Sequence, residues 1–133
     1  MRISRSVPVL LPAALVIGLF GMVIPAQAST TPAAVVNGTC SKGSLSNLQV
    51  QREDNGTLSI DFGVDMSAHT SGVSWVVKVM DNRSMVYKGN AVTISDGSFS
   101  ISKAIAPKSG THHVVATARN SATGETCRIR AVA

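Results

Sequence analysis

The stretch from Gly110 to Arg130, GTHHVVATARNSATGETCRIR, concentrates the residue types that can do chemistry: His112 beside His113, the arginines Arg119, Arg128 and Arg130, and Cys127. A metal centre is the first chemistry to weigh. Successive residues of a strand point to opposite faces, so His112 and His113 cannot both ligate one ion from a regular strand. His69 brings a third imidazole but no further ligand completes a set, and no metal or cofactor is expected. Nucleophilic catalysis fares no better, because no serine sits in a G-x-S-x-G elbow. Asp61 and Asp65 share a strand face at about 13 Å, beyond the carboxylate separations used in glycoside hydrolysis. These residues therefore predict no catalytic site and no enzyme.

Cysteine has a simpler use. Cys40 and Cys127 are the only two in the chain, and they lack the paired spacing of a zinc ribbon. The N-terminal stretch MRISRSVPVLLPAALVIGLFGMVIPAQA has the marks of a secretory signal peptide over residues 1–28. Arg2 and Arg5 precede an apolar run, and Ala26-Gln27-Ala28 offers a cleavage pattern. An uncleaved anchor is the competing reading, against which Pro12 and Pro25 interrupt the run. Export predicts a secreted, extracellular chain with no membrane segment after cleavage, in which Cys40 and Cys127 form one disulfide.

Residues 29–133 then make about one domain. The formal charge of +5 falls to +3 once Arg2 and Arg5 are removed, too mild a balance to predict a specific nucleic-acid partner. Asn37, Asn55 and Asn82 head glycosylation sequons, a pattern too short to carry a function.

The elements that position these residues read as strands. In LSIDFGVDM, Leu58, Ile60, Phe62, Val64 and Met66 alternate with Ser59, Asp61, Gly63 and Asp65, and Asp54-Asn55-Gly56 before it marks a hairpin. Val73, Trp75, Val77 and Val79 share a face of the next segment, which turns at Asp81-Asn82. MVYKG and AVTIS read as two short strands, SFSISKAIA as a third, and HHVVATARN and ETCRIRAV as a closing pair. Residues 29–43 show no period and read as a flexible leader before a β-sandwich domain over 44–133. No mature segment has a sustained helical period. The fold class is all-β, an antiparallel two-sheet sandwich of about seven strands.

Gly110-x-His112-x-Val114-x-Ala116-x-Ala118-x-Asn120, followed by Gly124, is similar to the closing hairpin of fibronectin type III and immunoglobulin-like domains. His112 stands where those domains usually have a corner tyrosine, and Trp75 stands where their buried tryptophan is. The whole resembles a small secreted bacterial immunoglobulin-like protein. That likeness implies that the two closing strands pair beside the strand of Trp75. Alternation turns Arg119, Arg128 and Arg130 outward, and the implied pairing adds Lys78 to the same face.

A basic stripe of Arg119, Arg128, Arg130 and Lys78 suits an anionic partner, such as a cell-wall polymer or acidic polysaccharide. The core claims Phe62, Trp75 and Phe99, leaving only Tyr87 to stack on a sugar or base. The expected function is that of a monomeric, secreted, non-catalytic module that binds an extracellular or cell-envelope partner. The alternative is an inhibitor of a secreted hydrolase presenting the loop Asp65–Gly72 or Ala106–Gly110.

Overall fold

The computed structural model describes residues 33–106 and 109–133. The expected signal peptide, residues 1–28, lies outside the described residues. Eight strands follow one another: β1 (Ala34–Thr39), β2 (Leu45–Arg52), β3 (Leu58–Asp65), β4 (Ser74–Asp81), β5 (Ser84–Val92), β6 (Ser98–Ile105), β7 (His113–Asn120) and β8 (Thr126–Val132). They form two antiparallel four-stranded sheets, in the orders β1-β2-β3-β6 and β5-β4-β7-β8. This all-β sandwich is compatible with an immunoglobulin-like fold.

Alternation explains which face each strand buries. Leu58, Ile60, Phe62 and Val64 of β3 face Trp75, Val77 and Val79 of β4, Val114, Ala116 and Ala118 of β7, and Cys127, Ile129 and Ala131 of β8 across the core. Phe99 touches both large rings, 5.8 Å from Trp75 and 6.2 Å from Phe62 between ring centres. Each of the larger side chains, from valine to phenylalanine, contributes about 1.5–3 kcal/mol through removal from water. The expected Asn-Gly hairpin forms between β2 and β3, with Gly56 at φ 86° and the Glu53 N–H donating to the Thr57 carbonyl at 2.7 Å.

Two expectations are corrected. The leader is not flexible throughout: Ala34–Thr39 is a strand, paired from Ala34↔Val50 to Thr39↔Leu45. Small residues and two valines carry little periodic signal. As an edge strand β1 needs only one ladder of hydrogen bonds, and its half-buried Ala34 and Val36 pack against the core. Likewise, MVYKG and the start of AVTIS belong to one strand, β5, and with β1 added the strands number eight.

The closing hairpin is fastened to the β1–β2 turn in two ways. The Cys40–Cys127 disulfide joins β8 to the residue after β1, with Cα atoms 4.4 Å apart. Beside it the buried Glu125 carboxylate accepts hydrogen bonds from the N–H of Lys42 (3.0 Å), the N–H of Ser44 (2.9 Å) and the Ser44 hydroxyl (2.8 Å). A carboxylate that accepts three such bonds is satisfied without a cation.

Candidate functional site: the basic face of the β5-β4-β7-β8 sheet

The two histidines part company at the start of β7. His112 is buried, and its Nδ1 lies 2.8 Å from the Asp81 carboxylate, which is buried too. Its backbone pairs with Ala133 in both directions, so it anchors the C-terminal end of β8 as well. His113 points outward and is exposed. His69, in the β3–β4 loop, sits at the other end of β4, about 23 Å away by strand length, with its Nδ1 3.4 Å from the Asp96 carbonyl. Among the described residues no group of three His, Cys, Asp or Glu side chains could hold a metal ion.

The arginines come together. Register puts Arg128 opposite Thr117, Thr117 opposite Lys78, and Lys78 opposite Lys88. With strands about 4.8 Å apart this row is about 14 Å wide. Arg119 lies two residues further along β7 on one side of it, and Arg130 two residues along β8 on the other, each about 7 Å off the row. All five cations are exposed. Outward positions of the four strands carry no Asp or Glu: the one carboxylate within them, Asp81, is buried, as is Glu125 just before β8. Among the described residues, no carboxylate oxygen lies within 4.0 Å of any of these five side chains. The opposite sheet is different, since the charged residues at its outward positions are Asp61 and Asp65. The sandwich therefore has one basic face and one mildly acidic face.

Two shallow depressions run along the basic face and share Arg128. One lies among Val76, Lys78, Thr117, Arg119 and Thr126, the other among Met80, Arg83, His113, Val115 and Arg130. Their floors mix apolar side chains with hydroxyls, and their rims are cationic. This arrangement can hold anionic groups in series, by charge and by the paired N–H donors of each guanidinium.

Lys88 and Arg83 were not among the residues singled out from sequence. Counting back from the Asn82-Arg83 turn pairs Lys78 with Tyr87 and turns Lys88 inward. A bulge breaks that count: Met80 pairs with Met85 but Val79 with Tyr87, leaving Val86 as the extra residue. The slip reverses every side chain beyond it, so Lys88 faces out. Tyr87 faces in, half-buried against the core with its hydroxyl over Gly89. The stacking ring expected of Tyr87 is thus not free. All four aromatic side chains of the described residues serve the core.

Comparison with models of known families, with curated proteins and with solved structures gives no significant match for this chain.

Proposed function

We propose that this chain is a secreted, non-catalytic binding module whose β5-β4-β7-β8 face holds an anionic polymer of the extracellular space or cell envelope. The observation that carries the reading is a sheet face with Lys78, Lys88, Arg119, Arg128 and Arg130 exposed and no carboxylate among its outward positions. Solvated surfaces ordinarily intersperse charges of both signs, because like charges repel. Segregation of one sign on one face is a standing electrostatic cost, and an anionic partner removes it.

Other features support the reading. The disulfide suits an oxidising compartment, in keeping with export through residues 1–28. The resemblance to fibronectin type III and bacterial immunoglobulin-like domains fits a rigid monomeric module of this size. A partner whose recognition needs exposed rings is disfavoured, because Trp75, Phe62, Phe99 and Tyr87 are all engaged by the core. An acidic polysaccharide or a phosphate-bearing wall polymer needs no such ring.

Co-sedimentation of the purified protein with cell-envelope preparations tests this. The expected result is retention that a soluble polyanion competes away. Retention indifferent to polyanion, or none on any anionic matrix, would contradict it.

A further inference from the structure

The β4–β5 turn holds a residue that the fold alone does not call for. Asn82 and Arg83 are its two central residues, with φ of 48° and 72°. A two-residue hairpin turn with both central residues at positive φ favours Asn-Gly, since glycine takes the second position without strain. Here an arginine occupies it. The turn is held in place from β7: the Asn82 N–H donates to the His113 carbonyl (3.0 Å), the His113 N–H donates to Asn82 Oδ1 (2.8 Å), and Asn82 Nδ2 donates to the Thr111 carbonyl (3.0 Å). Asn82 thus does the structural work, and the Arg83 side chain is exposed with no carboxylate in ion-pair reach among the described residues.

Arg83 borders the depression that also has Arg128, Arg130 and His113 on its rim. Three guanidinium groups and an imidazole line one open hollow, with Met80 and Val115 as its apolar floor. Backbone strain that persists under such bracing points to a use for the side chain that carries it.

We infer that this end of the basic face is a discrete subsite for a tetrahedral oxyanion, a phosphate or sulfate group carried by the bound polymer, and that Arg83 is one of its ligands. The inference rests on the anionic-polymer reading and deepens it. The row of Lys78, Lys88 and Arg128 supplies charge along the polymer, whereas Arg83 and Arg130 close on a single group. Guanidinium forks match two oxygens of such a group at once, which an ammonium cannot do.

The test pairs Arg83→Gly with Arg83→Lys in the otherwise unchanged protein. Inorganic phosphate and sulfate are the probes, at ionic strength matched with chloride, and the two anions report which group is preferred. A carboxylate-only polymer, polygalacturonate, serves as a second probe. Arg83→Gly is expected to weaken phosphate or sulfate binding about 3–10-fold, as the loss of a charge-assisted contact at an exposed site does. The same change is expected to raise the melting temperature by about 2–5 °C, because glycine relieves the strained turn. Arg83→Lys keeps the strain and the charge, and is expected to bind more weakly with an unchanged melting temperature.

Retention on polygalacturonate should survive Arg83→Gly yet be lost when Lys78, Lys88 and Arg119 are neutralised together. Wild-type phosphate and sulfate affinity in Arg83→Gly overturns the subsite and leaves the polymer reading standing. Polygalacturonate retention that survives the combined neutralisation of Lys78, Lys88 and Arg119 overturns the polymer reading instead. A fall in melting temperature for Arg83→Gly would assign the arginine a structural role and also overturn the subsite.

Discussion

Lys78 of β4 and Lys88 of β5 are register partners on the outer face of one sheet, two like charges set side by side with no carboxylate between them. Directly opposed like charges destabilise a sheet, whereas an opposed pair of unlike charges stabilises it by about 0.2–1 kcal/mol. Lys78→Glu should therefore raise stability in denaturant by up to about 1 kcal/mol, through a cross-strand pair with Lys88. It should at the same time weaken retention on an anionic matrix. Opposite signs in the two assays would separate a binding face from ordinary surface chemistry. A loss in both, or in neither, would count against the account.

The disulfide is expected to carry a large share of the stability. Cys40 and Cys127 are 87 residues apart in sequence, and the loop-entropy model assigns a closure of that length about 4–5 kcal/mol. Urea unfolding with and without reductant measures the difference. The bond ties β8 to the turn after β1, so a reduced protein should first lose protection from hydrogen exchange in β1, where one ladder alone remains.

The buried pair His112–Asp81 should be costly to break. Asp81→Ala strands an imidazole in the core and should cost about 2–4 kcal/mol in unfolding free energy. Asp81→Asn keeps an acceptor for the ring and should cost less. Equal losses for the two substitutions would show that packing rather than the hydrogen bond matters there.

Acid sensitivity has one identified source at the surface. The Asp96 carboxylate accepts bonds from the Ser98 hydroxyl (2.6 Å) and N–H (3.0 Å), and the charge of His69 lies nearby. The Ser98 hydroxyl first, then its N–H, and to a smaller extent His69 hold the carboxyl below its ordinary value of 3.8. A depressed value means that this contribution is complete above the unfolded-state value and is lost as pH falls through the folded one. Stability curves between about pH 5 and pH 2 should therefore fall less steeply for Asp96→Asn than for the wild type.

Much of this molecule was legible residue by residue. Period-two alternation placed Phe62, Trp75, Ala116 and Ile129 in the core, and cysteine arithmetic paired Cys40 with Cys127. Three features were not legible, each for a physical reason. Strand β1 is built of small residues whose pairing with β2 is a long-range event, so local pattern does not announce it. The bulge at Val86 shifts parity by one, which moved Tyr87 into the core and Lys88 onto the face. The positive φ of Arg83 follows from a two-residue turn that glycine usually marks. The basic face was therefore seen in part, through Arg119, Arg128, Arg130 and Lys78, and its remaining cations needed the register.

The most direct test of the central claim is the salt dependence of binding to a phosphate-bearing wall polymer, compared between the wild type and the combined Arg119→Ala, Arg128→Ala and Arg130→Ala variant. Each cation engaged releases a counterion, so the logarithm of the association constant should fall linearly with the logarithm of salt concentration. The account predicts a steep slope for the wild type, shallower in the variant by about one for each arginine removed. A wild-type slope near zero, or a variant that binds with the wild-type slope and affinity, would contradict it.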